Sequence, residues 1–90
     1  MAELGILNKW FSEKGFGFIR RAIENDKGEL VRVNDRKIPD MFVHVRQAQL
    51  AGIGDLAEGD VLQFDIGTDP RNGKPVAVNL VRLNNFDRAE

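Results

Sequence analysis

The chain has 90 residues and a formal net charge of -1, from 13 Lys and Arg against 14 Asp and Glu. With 42% hydrophobic and 30% charged residues it matches a soluble globular domain rather than a disordered chain, and its length fits one compact domain over residues 1–90 with a small core. The charge balance argues against bulk electrostatic capture of duplex DNA, and the lack of cysteine excludes disulfides, thiolate nucleophiles and cysteine-ligated zinc.

In chain order, residues 1–8 hold Glu3 and no basic stretch ahead of a long apolar run, so they do not read as a secretion signal. No window reaches the about 18 apolar residues needed to cross a bilayer, so a cytoplasmic protein without membrane contact is expected. Residues 4–11 form a first strand, ended by Ser12-Glu13-Lys14-Gly15, and residues 16–23, rich in aromatic and β-branched side chains, form a second. Asn25-Asp26-Lys27-Gly28 predicts a hairpin turn and residues 30–33 a short returning strand. Residues 34–39 make a polar connection in which Pro39 bars continuation of a ladder.

Residues 41–45 predict a further strand, and residues 46–50 a single helical turn before Gly52 and Gly54. In residues 60–66 Leu62, Phe64 and Ile66 fall on one face and Val61, Gln63 and Asp65 on the other, the pattern of a half-buried strand. Asp69-Pro70-Arg71-Asn72-Gly73 is a turn signal, and residues 76–83 supply the closing strand. Five main strands and one extra hairpin predict a small barrel, because closing the sheet removes exposed edges.

Aromatic spacing points to a surface. Phe16 and Phe18 lie two apart on one strand, with Gly17 and Ile19 on its other side; Phe42 and His44 repeat the arrangement opposite Met41 and Val43. If Ile19, Met41 and Val43 fill the interior, then Phe16, Phe18, Phe42 and His44 stand together outside, a liability without a partner. Flat rings flanked by Lys9, Lys14, Arg20 and Arg46 suit the unstacked bases and phosphates of a single strand, with glycines beside the rings admitting a ligand close to the backbone. Alternation alone leaves the opposite orientation open, with the rings inward and the aliphatic residues out. Residues 1–23 hold four basic and two acidic residues, and residues 47–90 four and seven, so a polyanion is expected to dock on the amino-terminal half.

Lys14-Gly15-Phe16-Gly17-Phe18-Ile19 resembles the first ribonucleoprotein motif of the cold-shock domain, and Phe42-Val43-His44-Val45 its second. Lys9-Trp10-Phe11, Asp40 and Leu56-Ala57-Glu58-Gly59-Asp60 fit the same pattern, and the resemblance runs from about Gly5 to Leu83. It implies an all-β, five-stranded antiparallel OB-fold barrel that binds single-stranded RNA or DNA without enzymatic activity, cofactor or metal. Carried over by position, the stacking platform is Trp10, Phe16, Phe18, Phe42 and His44, with Lys9 and Lys14 on the backbone and Phe11 at the edge; Arg46, flanking the rings, is expected to meet a further phosphate. The family's further properties imply an RNA chaperone or cold-shock regulator, expected as a monomer, with strand exchange through the inserted hairpin as the route to a dimer.

The chain also departs from the family pattern. The connection at about residues 20–39 is over a dozen residues longer than usual and holds the extra hairpin; Val45 and Ile53 stand where many members have phenylalanine. The Gly5-to-Trp10 spacing is one residue longer than in well-known bacterial members, which leaves the first strand's register unset.

His44 lacks histidine or cysteine partners for a metal, Ser12 lies in a turn without the context of a nucleophile, and Asn72-Gly73-Lys74-Pro75 lacks the flanking residues of a phosphate loop. Asp55, Glu58, Asp60, Asp65 and Asp69 are expected to be solvated, keeping nucleic acid off the back of the barrel. Arg32, Arg36 and Lys37 fit a solvated hairpin or an added binding rim. The competing function is a protein-interaction module on the same scaffold, gripping a partner through the aromatics or the hairpin.

Overall fold

The computed structural model describes residues 2–33, 39–83 and 87–88. The apolar runs and glycine turns become β1 (Glu3–Phe11), β2 (Phe16–Glu24), β3 (Glu29–Arg32), β4 (Met41–His44), α1 (Val45–Leu50), β5 (Val61–Thr68), β6 (Pro75–Arg82) and β7 (Asp87–Arg88). Asn25 folds the β2–β3 turn by accepting from the Lys27 and Glu29 amides through its side-chain Oδ1, both at 2.9 Å, while Gly28 takes φ +77°. Five strands close into a ring, as expected: β1 pairs with β2 and β5, β2 with β4, β5 with β6, and β6 with β4. Four seams are antiparallel, and the fifth, between β4 and β6, is a parallel contact of Phe42 with Val76.

The interior takes one side of each strand; in β6 the inward position passes from Ala77 to Leu80 across the irregularity at Asn79, whose φ is +54°. Leu7, Ile19, Met41, Val43, Leu62, Phe64, Ala77 and Leu80 form the core, with Ala48 of α1 and Leu56 at its margin. α1 begins at Val45, one residue before the expected helical turn, and its first amide donates to the Gly15 carbonyl at 2.8 Å. Ile19, Met41 and Val43 are all buried, so the other parity of β2 and β4, carrying Phe16, Phe18, Phe42 and His44, stands outside.

The inserted hairpin is β3 paired to the far end of β2, with the two-residue β7 alongside β3 in parallel, an addition the sequence reading lacked. Arg36 and Lys37 lie outside the described residues. Ile6, Ala22, Leu30 and Val61 form a second buried cluster on the outer parity of β1 and β5, flanked by Leu4 and Leu83. This corrects the half-buried reading of residues 60–66. Leu62 and Phe64 face the core, but Val61 is buried as well, under the hairpin; Ile66, toward the other end of the strand, is 46% exposed.

The extra residue between Gly5 and Trp10 becomes a bulge. The β1–β2 register shifts between Leu7 and Lys9, and Asn8 Nδ2 donates to Asp40 Oδ2 at 2.9 Å. Asp40 Oδ1 receives Nε of Arg20, so one carboxylate anchors both the bulge and β2.

Candidate functional site

Pairing register sorts the outward side chains into two cross-strand rows. Phe18 lies opposite Lys9 on one side and Phe42 on the other, and Phe42 continues to Val76; Phe16 lies opposite Phe11 and His44. Directly opposed residues share a face, so these rows form one surface across four strands. The ring centroids of Phe16 stand 5.5 Å from Phe11, 6.2 Å from Phe18 and 5.5 Å from Phe42, and Phe18 stands 5.9 Å from Phe42. Such tilted and edge-on contacts are worth about 0.5–1.5 kcal/mol each beyond area burial, so the rings hold one another in place while Phe16, Phe18 and Phe42 stay half-buried and Phe11 is 41% exposed.

The polar rim is placed by the same elements. Lys14, in the β1–β2 turn, holds Nζ 5.7 Å from the Phe11 ring centroid. Lys9 is exposed beside Phe18. His44 is the N-cap of α1: its Nδ1 accepts from the Arg46 amide at 3.1 Å, which puts the proton of the neutral ring on Nε2. Arg46 is exposed and shares a cleft with Phe42 and His44. Arg20 is engaged by Asp40 rather than standing free beside the rings.

Trp10 is brought to the neighbourhood but not to that face. It pairs with Gly17, between the two rows, and packs half-buried against the main core. A Cβ on Gly17 would lie 2.6 Å from Trp10 Cε3 and 2.2 Å from the Lys9 carbonyl oxygen, so this glycine makes room for the indole rather than for a ligand. Trp10 reaches the surface at the rim, in a cleft it shares with Phe11, Ser12 and Lys14. Val45 lies against Gly15 and Ile53 against the core.

Three residues that the sequence reading kept apart from the site stand beside it. The turn between β5 and β6 brings Asp69 and Arg71 to two clefts that flank Phe42, and Lys74 to one of them. The expectation of a solvated Asp69 is therefore corrected: it is 8% exposed and accepts from the Arg71 amide at 2.9 Å and from its guanidinium at 3.3 Å. The Arg71 amide, then its guanidinium, hold the Asp69 carboxyl below its ordinary value, and His44 adds to this when charged.

Of the other carboxylates expected to be solvated, Asp55 and Glu58 are exposed and Asp60 and Asp65 are half-buried, and three of them also hold local contacts. Glu58 accepts from the Trp10 amide at 3.1 Å, Asp60 from the Ala57 amide at 2.9 Å and from Arg82 at 3.0 Å, and Asp65 from Asn79 at 3.0 Å. Among the described residues, no helix is long and apolar enough to cross a membrane.

The chain is similar to known proteins over most of its length. The family model described as "'Cold-shock' DNA-binding domain" matches residues 5–83. The chain is 38% identical over 73 residues to a cold shock protein, CspA, of Rhizobium meliloti (strain 1021), covering 80% of this chain and 87% of the relative. It is 40% identical over 76 residues to a cold shock-like protein, CspC, of Bacillus cereus, covering 83% and 92%. A CspC of Shigella flexneri is 38% identical over 84 residues, covering 92% of this chain and 100% of the relative.

Proposed function

The chain belongs to the cold-shock domain family, whose members bind nucleic acid, and on that footing we propose that it binds single-stranded RNA or DNA by stacking successive bases on Phe16, Phe18 and Phe42. His44 and Phe11 extend the stacking surface, Lys9, Lys14 and Arg46 meet phosphates, and Trp10 takes part at the rim. The observation that carries this reading is the block of half-buried phenylalanines on the outer face of β2 and β4, each ring within about 6 Å of the next, with cations at its edges. The burial of Ile19, Met41 and Val43 on the other parity supports this reading over one with the rings facing inward.

Binding of this kind needs no catalytic group. Stacking holds the unpaired state, and holding it lowers the population of base-paired hairpins by mass action, which is the form RNA-chaperone action would take here. Sequence preference from stacking alone is modest, since every base has a π-face.

The test is a titration of fluorescently labelled oligonucleotides of matched sequence, RNA and DNA, single- and double-stranded, read by anisotropy. Single strands are expected to bind and duplexes to bind far more weakly. Phe18→Ala is expected to weaken single-strand binding by about 1–3 kcal/mol while the circular dichroism spectrum is retained. Unchanged binding by that variant would remove the ring from the interface, and silence of the folded protein toward every oligonucleotide would favour the protein-interaction module instead.

A further inference from the structure

The turn between β5 and β6 presents an arginine on a buried carboxylate at the wall of both clefts beside Phe42. Asp69 Oδ1 accepts from the Arg71 amide at 2.9 Å and from Nε at 3.3 Å, and Oδ2 accepts from Nη2 at 3.3 Å. The Asp69 side chain is 10% exposed and that of Arg71 is 78% exposed. The carboxylate occupies the Nε/Nη2 side of the planar fork, which leaves the Nη1/Nη2 end as a pair of parallel donors facing away from it.

We propose that Arg71, held by Asp69, reads the O6/N7 edge of a guanine whose face lies on Phe42, so that this protein prefers single strands with guanine at one position. The inference rests on the stacking reading above and adds a base-selective contact to it. Two observations favour a base edge over a phosphate. The ion pair is close to neutral, so a phosphate approaching Arg71 also meets the charge of Asp69, whose carboxyl stays ionised. Phe42, Pro70, Val76 and Val78 give the cleft apolar surface that suits the plane of a base, with His44, Arg46, Gln47 and Thr68 also lining it.

Guanine offers two adjacent acceptors to two parallel donors. Adenine opposes one of them with its amino group, and thymine and uracil set N3–H beside each carbonyl. Cytosine, with N3 and O2 adjacent on its Watson–Crick edge, is the other base with an acceptor pair, so replacing N7 of guanine is what isolates the O6/N7 reading. Selection therefore comes from hydrogen-bond matching and contributes almost nothing to the salt dependence of binding.

The experiment uses the full chain and labelled seven-base thymidine strands that carry one deoxyguanosine, one deoxyadenosine or one 7-deazadeoxyguanosine at each position in turn, with anisotropy measured at two salt concentrations. At one register, guanine is expected to bind about fivefold or more tighter than adenine, and 7-deazaguanine to lose most of that gain. Arg71→Ala, at an exposed side chain, is expected to bring the guanine-to-adenine ratio close to one, leaving the all-thymidine strand bound within about twofold and the salt slope unchanged. Asp69→Asn is expected to lower the ratio with the arginine retained.

A wild-type protein with no guanine preference would overturn the proposal. So would an Arg71→Ala variant that weakens every strand equally and makes the log-log salt slope shallower by about 0.7, the mark of a phosphate contact. If no strand binds at all, the stacking reading falls together with this one; if all-thymidine strands bind without a guanine effect, only this one falls.

Discussion

Gly17 stands where the two faces of β2 are decided. Alternation correctly sets it on the side opposite Phe16 and Phe18, and burial of Ile19 two residues on confirms that this side faces the core. What alternation does not reveal is what covers Gly17, because that depends on a cross-strand partner. The bulge at Asn8 shifts β1 by one residue, so that Lys9 and Phe11 flank the phenylalanine rows while Trp10 turns over Gly17. The longer Gly5-to-Trp10 spacing was the visible trace of that bulge, but spacing alone does not say where an extra residue is absorbed. Gly17→Ala would push a methyl group into the Lys9 carbonyl and the indole, and overpacking of this kind costs about 1–3 kcal/mol. We expect a lower urea midpoint with a red shift in Trp10 emission; a variant as stable as the parent, with unchanged emission, would mean that β1 and β2 do not pair in this register.

At the scale of elements, the inserted hairpin was legible as two strands and a turn, since Asn25-Asp26-Lys27-Gly28 carries its own turn chemistry. Its role was not. Ile6-Leu7 in β1 and Val61-Leu62 in β5 are adjacent apolar pairs within otherwise alternating strands, the mark of a stretch buried on both faces, and nothing local says which element covers the second face. The fold supplies the cover: Leu30, fully buried, closes over Ile6, Ala22 and Val61 outside the ring. Leu30→Ala should therefore destabilise the protein by about 2–5 kcal/mol in urea unfolding, the range for a buried leucine truncated to a methyl group. The hairpin cluster is separate from the aromatic rows, so single-strand affinity, measured under conditions where the variant remains folded, is expected to stay within about twofold of the parent. A small loss of stability would show that the hairpin is only loosely laid on the ring, and a large loss of affinity would make it part of the binding surface.

For the whole molecule, sequence reasoning set a polyanion on the amino-terminal half because the acidic excess lies toward the other end. The three-dimensional sorting is finer. Lys9, Lys14 and Arg46 surround the rings, and the β4–β6 seam at Phe42 and Val76 carries Arg71 and Lys74 from the acidic half to the same side, a juxtaposition fixed by ring closure rather than by any local signal. Glu58 and Asp60 meanwhile spend their charge on the Trp10 amide and Arg82. On the proposed reading, a net charge of -1 leaves stacking to supply most of the affinity, supplemented by a few local phosphate contacts. Three such contacts, at about 0.7 each for a single strand, give a log-log salt slope near -2, so raising salt from about 50 to about 200 mM should weaken binding about 16-fold. If Arg71 and Lys74 also met phosphates, five contacts would steepen the slope to about -3.5. A slope near -2 in the wild-type protein, made shallower by about 0.7 in Lys9→Gln and unchanged in Arg71→Ala, would assign charge to the rim beside the phenylalanines and leave the β5–β6 turn to act on bases. A slope several times steeper would move the main driving force from the rings to the cations.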